Sequence, residues 1–217
     1  MTGFVQNEAA FVSLQILSND TLLNQLNETS NQYFPRMIET KDTEKTRAML
    51  KRRFFPGGSS NRWLTEDNKK GLEDFFSESM FLYPLAEAID QSDDGHIPTS
   101  LYYFAFQSNH SYSKFYTNSD DNYGVCHCDE LAYLFRAKDL FTDYEPRSPE
   151  AAMADLFVNY IVRFAYDGVE KSNNCVVQEC DILEFTNAES NFQRLGKLED
   201  YGVDDEMVEF WRELYSQ

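Results

Sequence analysis

The stretch GVCHCDELAYLF, residues 124–135, concentrates side chains that could do chemistry. His127 stands between Cys126 and Cys128, Asp129 and Glu130 follow at once, and an apolar run begins at Leu131. Three chemistries fit these residue types. Thiolates and imidazole are metal ligands, but adjacent residues project in different directions. Structural zinc sites use C-x2–4-C pairs with a second pair further along. Cys175 and Cys180 form a C-x4-C pair, so a site of four thiolates stays open. A redox pair calls for C-x-x-C near a helix start, and C-x-C has the wrong spacing. The third reading is a histidine placed for proton transfer, set against a histidine that serves packing alone.

A histidine works only if the elements around its loop hold it in place. TSLYYFAFQ (99–107) is dense in aromatics and free of charge, so it is expected as a strand buried on both faces. Few partners for it are visible. CVVQECDILEF (175–185) holds a short strand, and a strand ends just before Glu8, so 99–107 is expected at or near the edge of a very small sheet. Helices are expected over about 20–27 and 41–53. Leu72, Phe75, Phe76, Phe81, Leu82, Leu85 and Ile89 recur at helical spacing, with Thr65 a candidate N-cap and Pro84 expected to end or kink the first half. Residues 108–123 read as loop. SPEAAMADLFVNYIVRFAYDG (148–168) is the clearest helix: Ser148 caps it, Pro149 occupies the first turn and Gly168 stands just past the end. DDEMVEFWRELY (204–215) closes the chain as an amphipathic helix. No repeat or linker divides residues 1–217.

Composition excludes some partners. The chain has 217 residues, 42% of them hydrophobic, and its 18 Phe and 13 Tyr make a bulky aromatic core. With 19 basic and 37 acidic residues the formal charge is −18, which argues against a nucleic-acid partner. The one basic cluster, KTRAMLKRR (45–53), is expected as a solvated helix face. No stretch reaches the roughly 18–20 apolar residues that cross a bilayer. The segment MTGFVQNEAAF shows none of the features of a secretory signal. Four cysteines are too sparse for a disulfide scaffold. The sequons at Asn19, Asn27 and Asn109 suit a secreted chain without deciding the compartment.

A buried strand, a loop, a Gly-x-x-His turn and then a helix are the parts that present a histidine at the carboxyl edge of an open sheet. GVCHCDELAYLF resembles the catalytic-histidine segment of type-B carboxylesterases, the cholinesterase-like branch of the α/β-hydrolases, and especially its insect members. FSESMFLYPLAEAI (76–89) is similar to the helix before that family's last core strand, and TSLYYFAFQ to the strand itself. MADLFVNYIVRFAYDG resembles its C-terminal helix, without the GNP turn that usually follows. MVEFWRELY resembles its closing segment. TGFVQNEAAF resembles the segment carrying the triad acid, with Glu8 in the acid position and Ala9 where Gly is usual. Cys128 stands where Gly or Ala is common.

The resemblance implies an α/β fold: the C-terminal part of an α/β-hydrolase, mostly helical with one or two remaining core strands. It implies an ester substrate in the full-length context, no cofactor and no metal. His127 would be the general base and then the general acid, with Glu8 fixing its tautomer. The family order is Ser, acid, His, with the serine on a G-x-S-x-G elbow before the acid. No elbow precedes Glu8, and GGSSN (57–61) fails on spacing and order. Residues 1–217 are therefore expected to be a partial carboxylesterase domain without its nucleophile half, inactive alone, with buried faces of 99–107 and 148–166 left unpartnered. The alternative is a non-catalytic cholinesterase-like adhesion or ligand-binding module.

Overall fold

Strand 99–107 is expected with few neighbours, yet the sheet that forms has four strands. The computed structural model describes all residues except 42, 95, 96, 98, 120, 122, 169–180, 187–193 and 217. The strands are β1 (Thr2–Val5), β2 (Leu101–Phe104), β3 (Asp181–Phe185) and β4 (Arg194–Lys197), in spatial order β1-β2-β3-β4. β1, β2 and β3 run parallel, and β4 pairs antiparallel with β3. β2 is thus shorter than expected and lies inside the sheet, while β1 forms an edge. The expected one or two strands become four. Parallel pairing has a physical consequence here: each link must cross over a face, and the helices in those links cover it.

Alternation along the strands divides the core in two. Phe4, Leu101 and Ile182 face one side, and Val5, Phe104 and Phe185 face the other. The first side is covered by α1 (Ala10–Leu17), α2 (Asp20–Met37), α3 (Glu44–Phe54), α4 (Lys70–Ser77), α5 (Tyr83–Asp94) and the closing helix. The second is covered by α7 (Leu131–Leu134) and α8 (Pro149–Asp167), and a short α6 (Ser113–Thr117) interrupts the expected loop. α9 (Asp205–Tyr215) closes the chain as expected. Strand 99–107 therefore has partners on both faces. Met153 and Phe157 of α8 are also buried, while Val158, Val162 and Tyr166 on its outer face are exposed.

Caps set the helix limits. Asn19 Oδ1 accepts the Thr21 and Leu22 amides at 3.0 and 3.2 Å, and Ser148 Oγ accepts the Ala151 amide at 3.1 Å. α2 continues well past 27 to Met37 and carries Pro35 near its C-terminal end. Asn27 is buried within α2, and its Oδ1 accepts the Leu64 amide at 2.9 Å, so that sequon is closed off in the folded chain. The basic run is the outer face of an amphipathic helix, with Lys45 and Arg52 exposed as expected, but its other face is buried. Thr46, Met49 and Leu50 of α3 are buried, and Arg53 donates to both oxygens of Glu78 at 2.9 and 3.0 Å.

Between α4 and α5 the chain forms a π turn over Glu78–Leu82, with the Tyr83 amide bonding the Glu78 carbonyl. Pro84 has no N–H to offer the carbonyls one turn back, and the wider turn absorbs that loss where a kink was expected. Among the described residues no helix is long and apolar enough to cross a membrane.

Candidate active site

Glu8 follows β1 by three residues and so sits at the carboxyl edge of the sheet. Its carboxylate bridges two elements. Oε1 accepts the amide of Val5, the last residue of β1, at 2.9 Å. Oε2 lies 2.7 Å from His127 Nδ1, across a sequence separation of 119. The Glu8 side chain is only 6% exposed, whereas that of His127 is 40% exposed. The contact therefore joins a buried acid to a half-open imidazole. Among the described residues Nε2 makes no hydrogen bond. A carboxylate at Nδ1 fixes that nitrogen as the donor and leaves Nε2 free to accept or deliver a proton.

The two loops are stitched together by Asn7. Its amide donates to the Val125 carbonyl at 2.9 Å, and its Oδ1 accepts the Val125 amide at 3.3 Å. Its Nδ2 donates to Glu73 Oε1 at 2.8 Å, which ties the pair to α4. The glycine of Gly-x-x-His now has a reason. Gly124 takes φ +84°, and a Cβ there would stand 2.0 Å from Asn7 Oδ1. Asn7 carried no motif signal, and only its position next to the acid marked it. Ala9, in the place where Gly is usual, is fully buried, and its amide donates to Ser77 Oγ at 3.3 Å.

After His127 the chain turns sharply. Cys128 adopts φ +73°, a left-handed conformation that L side chains disfavour. Asp129 staples the turn, accepting the Cys126 and Tyr112 amides, each at 2.7 Å. Burial pushes its pKa up to about 6, against hydrogen bonds that favour the carboxylate. Burial also raises the Glu130 carboxyl to about 7, and its Oε2 is buried without a hydrogen-bond partner. Neither carboxyl is exposed as residue type alone would suggest. For His127 the hydrogen bond that Nδ1 donates to Glu8 raises the pKa above the ordinary imidazole value, opposed by burial.

Cys126 is fully buried, and burial lifts its thiol far above the thiolate range. Burial raises Cys128 as well. Cys175 and Cys180 lie outside the described residues. Among the described residues no three His, Cys, Asp or Glu converge as metal ligands.

A mostly parallel sheet flanked by helices, with an acid just past one strand meeting a histidine from a distant loop, is α/β-hydrolase architecture. The chain belongs to the carboxylesterase family, whose model matches residues 1–211. It is 26% identical over 180 residues to juvenile hormone esterase of Tribolium castaneum, covering 77% of this chain and 30% of that protein. It is 25% identical over 190 residues to a carboxylic ester hydrolase of Bombus ignitus, covering 83% of this chain and 33% of that one. The chain thus spans about a third of the length of these curated relatives. The crystal structure of juvenile hormone esterase from Manduca sexta, with OTFP covalently attached, shares the fold at a TM-score of 0.72 and 15% identity. That match covers 99% of this chain and 40% of the crystallised one.

Proposed function

We propose that this chain supplies the acid and histidine of a serine carboxylesterase, and that the nucleophilic serine comes from outside these 217 residues. Glu8 is the triad acid and His127 the general base. The observation that carries the reading is the 2.7 Å contact between Glu8 Oε2 and His127 Nδ1, with Nε2 left free at the half-open surface. Two relatives with ester hydrolase names support the substrate class, a carboxylic ester.

The chemistry follows from these positions. A serine hydroxyl is a weak nucleophile until a base accepts its proton. Nε2 of His127 takes that proton as the oxygen attacks the ester carbonyl. The imidazolium then returns it to the departing alkoxide, which leaves as the alcohol. Water repeats the cycle and releases the acid. Throughout, Glu8 holds the tautomer and stabilises the imidazolium without being protonated itself.

The test is a chimera in which residues 1–217 replace the matching segment of the Tribolium castaneum esterase. Hydrolysis of p-nitrophenyl acetate is expected, with a loss of about 10⁴-fold in Glu8→Gln and His127→Ala. Because the His127 pKa is raised, the rising limb of the pH profile should lie above the ordinary imidazole value of about 6.5. A folded chimera indifferent to both substitutions would sink the reading and favour a binding module. The chain 1–217 alone should hydrolyse the same ester no faster than its own His127→Ala variant. Activity that needed both residues and yielded to a serine-directed phosphonate would place the nucleophile within these residues instead.

A further inference from the structure

We propose that Phe81 and Phe11 are positioning residues that clamp the imidazole of His127, and that the π turn is the device that presents Phe81 to it. The functional meaning rests on His127 being the proton-transfer residue, while the clamp itself stands on geometry alone. The Phe81 ring centroid lies 4.9 Å from that of His127, tilted by 49°. Phe11, on α1, lies 5.4 Å from it, tilted by 35°. The two phenyl rings meet each other edge to face at 6.3 Å, and Tyr116 of α6 backs Phe11 at 6.0 Å.

The sequence does not place Phe81 there by ordinary helical spacing. Five residues of unbroken α-helix advance by 500°, which puts Phe81 about 140° round from Phe76, and Phe76 is fully buried in the core. The π turn over Glu78–Leu82 spreads one more residue into the turn and takes back part of that rotation. Phe81 then reaches the rim of the sheet while Leu72, Phe75 and Phe76 before it and Ala86 and Ile89 after it all stay in the core. Both segments keep their buried face, and Phe81 alone is redirected.

The site has a use for such a ring. A single hydrogen bond at Nδ1 leaves the imidazole free to rock about that contact, and rocking would move Nε2 away from a serine. Two aromatic contacts remove this freedom. Both phenyl centroids also lie within the ~6 Å range over which a cation is attracted to a ring, which would favour the imidazolium. The charged groups that act on the ring are Glu8, Asp129 and Glu130.

The experiment is an NMR titration of the His127 ring signals in the 217-residue chain and in Phe81→Leu, Phe11→Leu and Phe81→Tyr. Leu keeps most of the volume and removes the π face. Its midpoint should fall by about 0.5 pH unit, and the low-field Nδ1 proton should weaken. Phe81→Tyr should restore both. A Phe81→Leu protein with native circular dichroism, an unchanged midpoint and an unchanged Nδ1 proton would overturn the proposal. If that variant does not fold, Phe11→Leu carries the same test from the second ring. Glu8→Gln separates the two readings: an unchanged midpoint there removes the acid–histidine reading and leaves the comparison of Phe variants intact.

Discussion

The two faces of the sheet are built differently. On the face of Phe4 and Leu101, large aromatic rings close on one another. Phe34 stacks on Trp63 at 5.2 Å, Phe54 meets Phe75 edge to face at 5.5 Å, and both tryptophans are fully buried. Ser13 Oγ of α1 is buried without a partner among the described residues, but most of the polar groups inside that face are satisfied. Glu78 accepts from Arg53 twice and from Trp211 Nε1 at 2.9 Å. Burial raises the Glu78 pKa, and those same partners pull it back. The opposite face has thinner cover. One long helix lies over it with an exposed apolar flank, and its histidine loop holds a buried unpaired carboxyl oxygen and a non-glycine residue at positive φ. Unpaired groups and backbone strain are commonly found together where a protein does chemistry. The first face thus carries most of the aromatic packing. The site lies at the carboxyl edge where the faces meet, and it draws Phe11 from α1 and Phe81 from the π turn as well as the histidine loop.

The largest expected effect breaks the comparison if it fails. Trp211→Ala removes a fully buried ring and a hydrogen bond to Glu78, and should cost about 3–5 kcal/mol in urea unfolding. Val158→Ser and Val162→Ser, on the exposed flank of α8, should each stay within about 0.5 kcal/mol. Comparable losses at all three positions would mean that the flank of α8 is covered in solution and that the two faces are equivalent.

How much of this was legible in the sequence depended on the signal each part carries. The start of α2 and both ends of α8 were readable because Asn19, Ser148 and Gly168 act through local bonds and local φ, whereas the end of α2 at Met37 was not. The pairing of Glu8 with His127 came through family resemblance, since a contact across 119 positions leaves no local trace. The sheet was under-read for a different reason. β4 reads RLGK, polar and only four residues long, and β1 is as short, so neither shows periodicity. β2 was expected at or near an edge beside the strand that precedes Glu8, and it does pair with edge strand β1. Its pairing with β3 on the other side, and β4 beyond, were not foreseen. In the basic run the exposed charges were legible and the inward role of Arg53 was not, because Met49 and Leu50 hold α3 against the core and carry Arg53 to Glu78. The π turn is a three-dimensional response to Pro84 and has no spacing rule of its own.

A smaller effect sharpens the comparison through pH. Glu130 has a folded pKa raised to about 7, so its favourable contribution is complete below the unfolded value, about 4.3, and is lost as pH rises through about 7. Glutamine mimics the protonated carboxyl and does not ionise. Glu130→Gln should therefore be more stable than the parent at pH 8, by about 1 kcal/mol, the scale of one unpaired buried group. At pH 5 the gain should be smaller. Denaturant midpoints at the two pH values decide it, and a gain independent of pH would show that the carboxyl is not protonated in the folded chain.

The smallest effect concerns the strain itself. Cys128 holds φ +73° directly after the histidine. A left-handed L residue costs about 1–2 kcal/mol, and glycine relieves it but gives up roughly 0.5–1 kcal/mol of chain entropy on folding. Cys128→Gly should therefore stabilise by about 0.5 kcal/mol net, a rise in Tm of about 1–2 °C for a chain of this size. Arg147 supplies the control, because it sits exposed at φ +70° far along the chain from the acid and histidine. If strain alone sets the gain, Arg147→Gly should match it. A gain at Arg147 with a loss at Cys128 would mean that the thiol packs the turn firmly enough to outweigh its strain. The cysteine would then be part of what holds His127 against Glu8, and the thinner face would be less strained than its dihedral angles imply.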